Sequence, residues 1–103
     1  MEQATEVKPL PSWLKETEDG ICVALKYKSE INGITVDRLT MRAPSIKDNR
    51  VAKEQAGGDN EKHEINLFAT LTQSGVKDIE ALKERDYRRL QEGYFRLVNE
   101  DEL

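Results

Sequence analysis

Asn32-Gly33 stands between two stretches in which apolar and polar residues alternate, and this pair narrows the fold more than any other feature of the chain. A type I′ turn needs φ > 0 at both central positions, which asparagine and glycine tolerate and most residues do not. The pair predicts a two-residue β-hairpin. Its first strand starts at Ile21, with Val23, Leu25 and Tyr27 on one face and Cys22, Ala24, Lys26 and Lys28 on the other. The return strand runs from Ile34 to about Arg42.

Such a turn pairs Ile31 with Ile34 and Ser29 with Val36. In strict register Tyr27 would then oppose Arg38, and Leu39 and Met41 would fall on the wrong face. One extra residue near Asp37-Arg38 restores a continuous apolar face, with Tyr27 opposite Leu39 and Leu25 opposite Met41. A bulge is expected there.

A lone hairpin is marginal in water, and the rest of the chain offers helices to cover it. Pro44-Ser45 ends the return strand, Ser45 with Asp48 is close to a capping box, and Gly57-Gly58 closes the first helix. Its apolar residues, Ile46, Val51, Ala52 and Ala56, are few, so it belongs at the edge of the core. Asp59 or Asn60 caps a second helix in which Ile65, Phe68, Ala69 and Thr72, with Leu67 and Leu71 beside them, make a broad apolar stripe. That helix is expected to be central. Ser74-Gly75 stops it, Val76, Ile79 and Leu82 suggest a short helical turn, and Asp86 is the expected cap of a last helix carrying Tyr87, Leu90, Tyr94 and Leu97 on one face.

With 103 residues there is room for one domain. The expected fold is α+β, an N-terminal β-hairpin packed on three to four α-helices over residues 21–99. Residues 1–20, acidic and interrupted by Pro9 and Pro11, read as a flexible extension, and residues 100–103 as a frayed acidic tail. Within the extension Trp13 has two readings. It either folds back onto the domain or serves as a short linear anchor for a partner.

A charged fraction of 35% against 37% hydrophobic residues leaves a modest core, which favours a partner surface or a homo-oligomer. The formal charge of -4 opposes sequence-independent phosphate binding, so nucleic acid is a poor partner. The single cysteine, Cys22, makes no internal disulfide and no Cys/His set has zinc spacing. No basic apolar leader and no run of membrane-spanning length is present, so a soluble protein of a reducing cytoplasm is expected.

Catalytic chemistry finds no foothold. His63, the only histidine, sits among Glu61, Lys62 and Glu64 without a positioned partner, and Asp59 with His63 gives two ligands where a metal wants three or four. Nothing near Cys22 supplies a base or a positive field. Gly57-Gly58-Asp59-Asn60 lacks the Gly-Lys-Ser/Thr ending of a phosphate loop. Arg85, Arg88, Arg89 and Arg96 form a stripe along the last helix, but Glu92 stands between Arg88 and Arg96 at i,i+4 spacing from each, so the stripe reads as a solvated, internally paired face, with contact to an acidic protein partner as the alternative. No enzyme, cofactor or metal is expected.

An ordered series of segments carries a resemblance. Ile31-Asn32-Gly33-Ile34-Thr35-Val36 is followed by Leu39-Thr40-Met41-Arg42-Ala43-Pro44, then Ala52-Lys53-Glu54-Gln55-Ala56-Gly57-Gly58-Asp59, Leu67-Phe68-Ala69-Thr70-Leu71-Thr72 and Asp86-Tyr87-Arg88-Arg89-Leu90-Gln91. From Tyr27 to Leu97 the chain resembles the tail assembly chaperones of Mu-like phages and related contractile-tailed phages and prophages. It departs from them at Gln73-Ser74-Gly75-Val76-Lys77, where the family usually has Gly-Leu-Pro or Gly-Leu-Ser, and in residues 1–20, which the resemblance does not cover.

The resemblance implies a non-enzymatic protein of the host bacterial cytoplasm that binds the tape measure protein and keeps it soluble while tail tube subunits assemble, and that is absent from the mature virion. It also implies a longer frameshifted product in many members. Residue type suggests Trp13, Phe68, Tyr94, Phe95 and Arg96 as partner contacts, since aromatics and arginine dominate binding energy where exposed. Phe68 and Tyr94 equally suit the core. The other readings are a structural tail component, such as a tube-end or baseplate subunit, and a small nucleic-acid-binding regulator.

Overall fold

The computed structural model describes residues 9–99; residues 1–8, and the acidic tail expected at 100–103, lie outside the described residues. Three antiparallel strands, β1 (Leu14–Glu16), β2 (Gly20–Ile31) and β3 (Ile34–Arg42), form one sheet in the order β1-β2-β3. Four helices follow: α1 (Ile46–Ala56), α2 (Asn60–Thr72), α3 (Val76–Glu80) and α4 (Glu84–Val98). The fold is α+β, as the sequence predicts. Helix α4 lies across β2, α2 packs on β3, α1 packs on α2, and Ile21, Val23, Leu39, Met41, Phe68, Leu71, Ile79 and Leu90 are buried among them.

Asn32 (φ 54°) and Gly33 (φ 80°) make the hairpin turn, with Ile31 paired to Ile34 and Ser29 to Val36. The turn is anchored by the residue that ends α2 and by α3. The Asn32 N–H donates to Asp78 Oδ2 at 3.2 Å and its amide Nδ2 to the Gln73 carbonyl at 3.0 Å.

Beyond Ser29 the register departs from expectation. Val23 pairs with Leu39 and Ile21 with Met41, so Leu25, Lys26, Tyr27 and Lys28 stand opposite Asp37 alone. The extra residues are on β2, not on β3. An odd slip is what returns Leu39 and Met41 to the core face, and either strand can supply it. Here β2 does so because α4 supplies partners for its freed backbone groups: Asp86 accepts the Lys26 N–H at 2.6 Å and the Tyr27 N–H at 3.0 Å, and Arg89 donates to the Ala24 carbonyl at 2.9 Å. Tyr27 is carried out of the core and is 45% exposed.

Asp86 therefore is not the cap of α4. The helix starts at Glu84, and Asp86 in its first turn is wholly buried against β2. Ser45 and Asp48 do form the capping box of α1, Gly57 closes that helix in the left-handed conformation, and Asp59 caps α2. Gln73, with φ 57°, ends α2 ahead of Ser74-Gly75.

The sheet also begins earlier than the hairpin. Residues 14–16 form β1 inside the segment expected to be a flexible extension, because Leu14 buries its side chain beside Ile21 and Val23. The turn between β1 and β2 is closed by the Thr17 N–H donating to the Gly20 carbonyl at 2.9 Å. Gly20 lies so close to β3 that a Cβ would sit 2.0 Å from the Met41 carbonyl oxygen, which only glycine avoids.

Candidate partner-binding surface

Trp13 is held at the edge of the sheet by backbone on both sides. The Leu14 N–H donates to the Pro11 carbonyl at 3.0 Å, and the Ala24 N–H to the Trp13 carbonyl at 2.9 Å. The Arg89 guanidinium lies 4.9 Å from the centroid of the indole while it also donates to the Ala24 carbonyl. Cation–π attraction and the hydrogen bond act on one group, so the indole is clamped between β2 and α4. Half-buried Trp13 has folded back onto the domain, and part of it stays open.

That open part lines a groove of about 740 Å³ between the Pro11–Trp13 turn and α4, completed by Glu84, Arg85, Arg88, Arg89 and Glu92. The charges differ in how they are engaged. Glu92 accepts from Arg96 Nε at 2.7 Å, whereas Arg85 and Arg88 are exposed and, among the described residues, have no ion-pair partner. Only the Arg96 half of the predicted Arg88–Glu92–Arg96 pairing forms. Arg85 and Arg89 are like charges at i,i+4, an unfavourable arrangement in an isolated helix, and that is the signal in the sequence that Arg89 has its partner elsewhere.

The five residues singled out as contacts do not converge. Phe68 is wholly buried, its ring centroid 5.6 Å from that of Tyr87 and 5.5 Å from that of Tyr94, so it belongs to the core and not to a surface. Tyr94 is half-buried by that packing. The Arg96 side chain is only 9% exposed, held by Glu92 and by the Pro9 carbonyl at 3.4 Å. Phe95, 53% exposed, is open, and Val98, 46% exposed, follows it on the next turn of α4. Trp13 opens into the groove nearer the start of the same helix, along the face that Phe95 continues two turns beyond Arg88.

Other polar groups are engaged in holding helices together. Glu64 accepts from the Tyr87 hydroxyl and from Gln91 Nε2, the latter at 2.8 Å; burial first, and then the bond to Glu64, push the Tyr87 phenol above its ordinary pKa of 10.0. His63 Nε2 lies 2.7 Å from Asn49 Oδ1, joining α1 to α2. Among the described residues no group of three or more His, Cys, Asp or Glu is placed to hold a metal ion, and no helix is long and apolar enough to cross a membrane.

The geometry thus presents a cationic groove lined by Trp13 and an exposed apolar pair, Phe95 and Val98, on a frame of packed helices. Residues 23–99 match the family described as phage tail assembly chaperone proteins, E, or 41 or 14. The chain belongs to the phage tail assembly chaperone family. No curated protein and no solved structure matches it. Family membership implies a non-catalytic role. The match takes in β3, all four helices and β2 from Val23 onward, so the groove is walled on one side by the family's α4 and floored by a Trp13 turn that lies before the matched residues.

Proposed function

We propose that this tail assembly chaperone binds the tape measure protein and keeps it soluble in the host bacterial cytoplasm while tail tube subunits assemble around it, and that it leaves before the virion is complete. The observation that carries the reading is the family match over residues 23–99. The surface of α4 supports it. A long helical client with apolar stripes aggregates through those stripes, and a small protein shields them by offering exposed apolar and aromatic groups beside charge. Phe95 and Val98 offer the first and the arginine-lined groove the second.

Co-expression of the tape measure protein with and without this chain tests the proposal. The expected result is that the tape measure protein is soluble and co-purifies only with the chaperone. Insolubility in both cases, or a soluble client that does not co-purify, would refute it. A mass-spectrometric inventory of intact tails should lack this chain; finding it at stoichiometric amounts would make it a structural tail component instead.

A further inference from the structure

We propose that the groove between the Pro11–Trp13 turn and α4 docks an acidic segment of the partner, with Arg85 and Arg88 pairing with its carboxylates and Trp13 and Pro11 receiving an adjacent apolar side chain. This rests on the tape measure reading above and names the kind of segment that is bound.

The first argument is charge. The chain carries a formal charge of -4 overall, yet α4 gathers Arg85, Arg88 and Arg89 on one groove wall. Of these, Arg89 is committed to the Ala24 carbonyl and the indole. Arg85 and Arg88, one turn apart and without an ion-pair partner among the described residues, are left to face outward together. Of the two carboxylates that line the same groove, Glu92 is engaged by Arg96, and Glu84, at i,i+4 from Arg88, forms no ion pair with either arginine among the described residues.

The second argument is the floor. Trp13 and Pro11 add apolar surface beside the two guanidinium groups, and a volume of about 740 Å³ holds a few side chains rather than a whole helix. Planar guanidinium forks match carboxylates in two-point pairs, and an apolar anchor beside them supplies the desolvation that makes such pairs count. Phosphate would also suit the arginines. The net charge of -4 opposes a long polyanion more than a short acidic segment, because repulsion from the whole chain grows with the number of charges brought near it.

Trp13 is the only tryptophan in the chain, so its emission reports on this groove directly. Trp-free peptides tiled across the tape measure protein should change that emission where their net charge is acidic. R85A/R88A should weaken those peptides about tenfold, the scale of two partly desolvated charge pairs, and flatten the salt dependence. K47A/K53A, which removes as much charge from exposed positions of α1, should not. Unchanged binding by R85A/R88A, or a preference for basic peptides, would overturn the groove while leaving the proposed function standing. Failure of the wild-type chain to capture full-length tape measure protein would refute the function itself. Binding of duplex DNA that R85A/R88A abolishes would make the groove a phosphate site, against this proposal.

Discussion

The Asp86 carboxylate, on α4, accepts the backbone N–H of Lys26, on β2, at 2.6 Å, and its second oxygen takes the Tyr27 N–H at 3.0 Å. A buried acid thus replaces the ladder partners that the irregular stretch of β2 has lost. Asp86→Ala leaves both donors without a partner, at a cost of about 2–3 kcal/mol. Urea unfolding should show this as a lower midpoint with unchanged slope. A loss below about 0.5 kcal/mol would mean that the bulge is held by something else.

Close approach makes a second prediction. A Cβ on Gly93, in the middle of α4, would lie 3.1 Å from Val23 Cγ2 and 3.4 Å from Ile21 Cγ2. Alanine gains about 1 kcal/mol of helix propensity over glycine, but Val23 and Ile21 are fully buried in the central strand and have little room to retreat. Gly93→Ala is therefore expected to be neutral to destabilising by about 1 kcal/mol. Gly20→Ala, whose Cβ would meet backbone 2.0 Å away, should cost about 2 kcal/mol or more. Thermal melts of the two variants should fall in that order.

These two sites show what was legible in the sequence and what was not. The Asn32-Gly33 turn, the Ser45 and Asp59 caps and the Gly57 stop are set by residues a few positions apart, and each lies where the sequence puts it. The need for an odd slip in the hairpin was also readable, from the change of parity between Val36 and Leu39. Which strand carries the slip depends on Asp86, distant in sequence, and local periodicity holds no information on that. Strand β1 was hidden for a similar reason: Leu14 and Trp13 are too few to show alternation, and they are ordered by β2 and Arg89. The arginine stripe is legible in the sequence as either a self-paired face or a surface for an acidic partner, but the groove is not, because its other wall depends on Arg89 turning inward to Trp13 and the Ala24 carbonyl.

Acid should unfasten the start of α1. Asp48 is held below its ordinary pKa of 3.8, chiefly by the two-point bond from Arg42, at 2.7 and 3.1 Å, and then by the Ser45 N–H. A carboxyl whose folded pKa is depressed adds stability that is whole above its ordinary value and is lost as pH falls through the folded one. Asp48→Asn keeps an amide oxygen for the cap but loses the charge. The melting temperatures of wild type and Asp48→Asn are therefore expected to differ most at neutral pH and to converge in acid. A gap that widens on acidification would contradict this origin.

Phe95 and Phe68 separate binding from folding within one aromatic set. Phe95 is 53% exposed and Phe68 fully buried, so Phe95→Ala should alter stability by no more than about 0.5 kcal/mol, whereas Phe68→Ala should cost about 3–5 kcal/mol. Arg96 is unsuitable as a clean probe of the surface, because its removal also frees Glu92 and the Pro9 carbonyl. If the stripe of Phe95 and Val98 shields the tape measure protein, Phe95→Ala weakens capture about fivefold or more at unchanged melting temperature, the loss of an exposed aromatic anchor worth about 1 kcal/mol. Capture that survives Phe95→Ala but fails with Arg85→Ala and Arg88→Ala combined would place the contact in the groove alone, and the helix tip would then be ordinary surface.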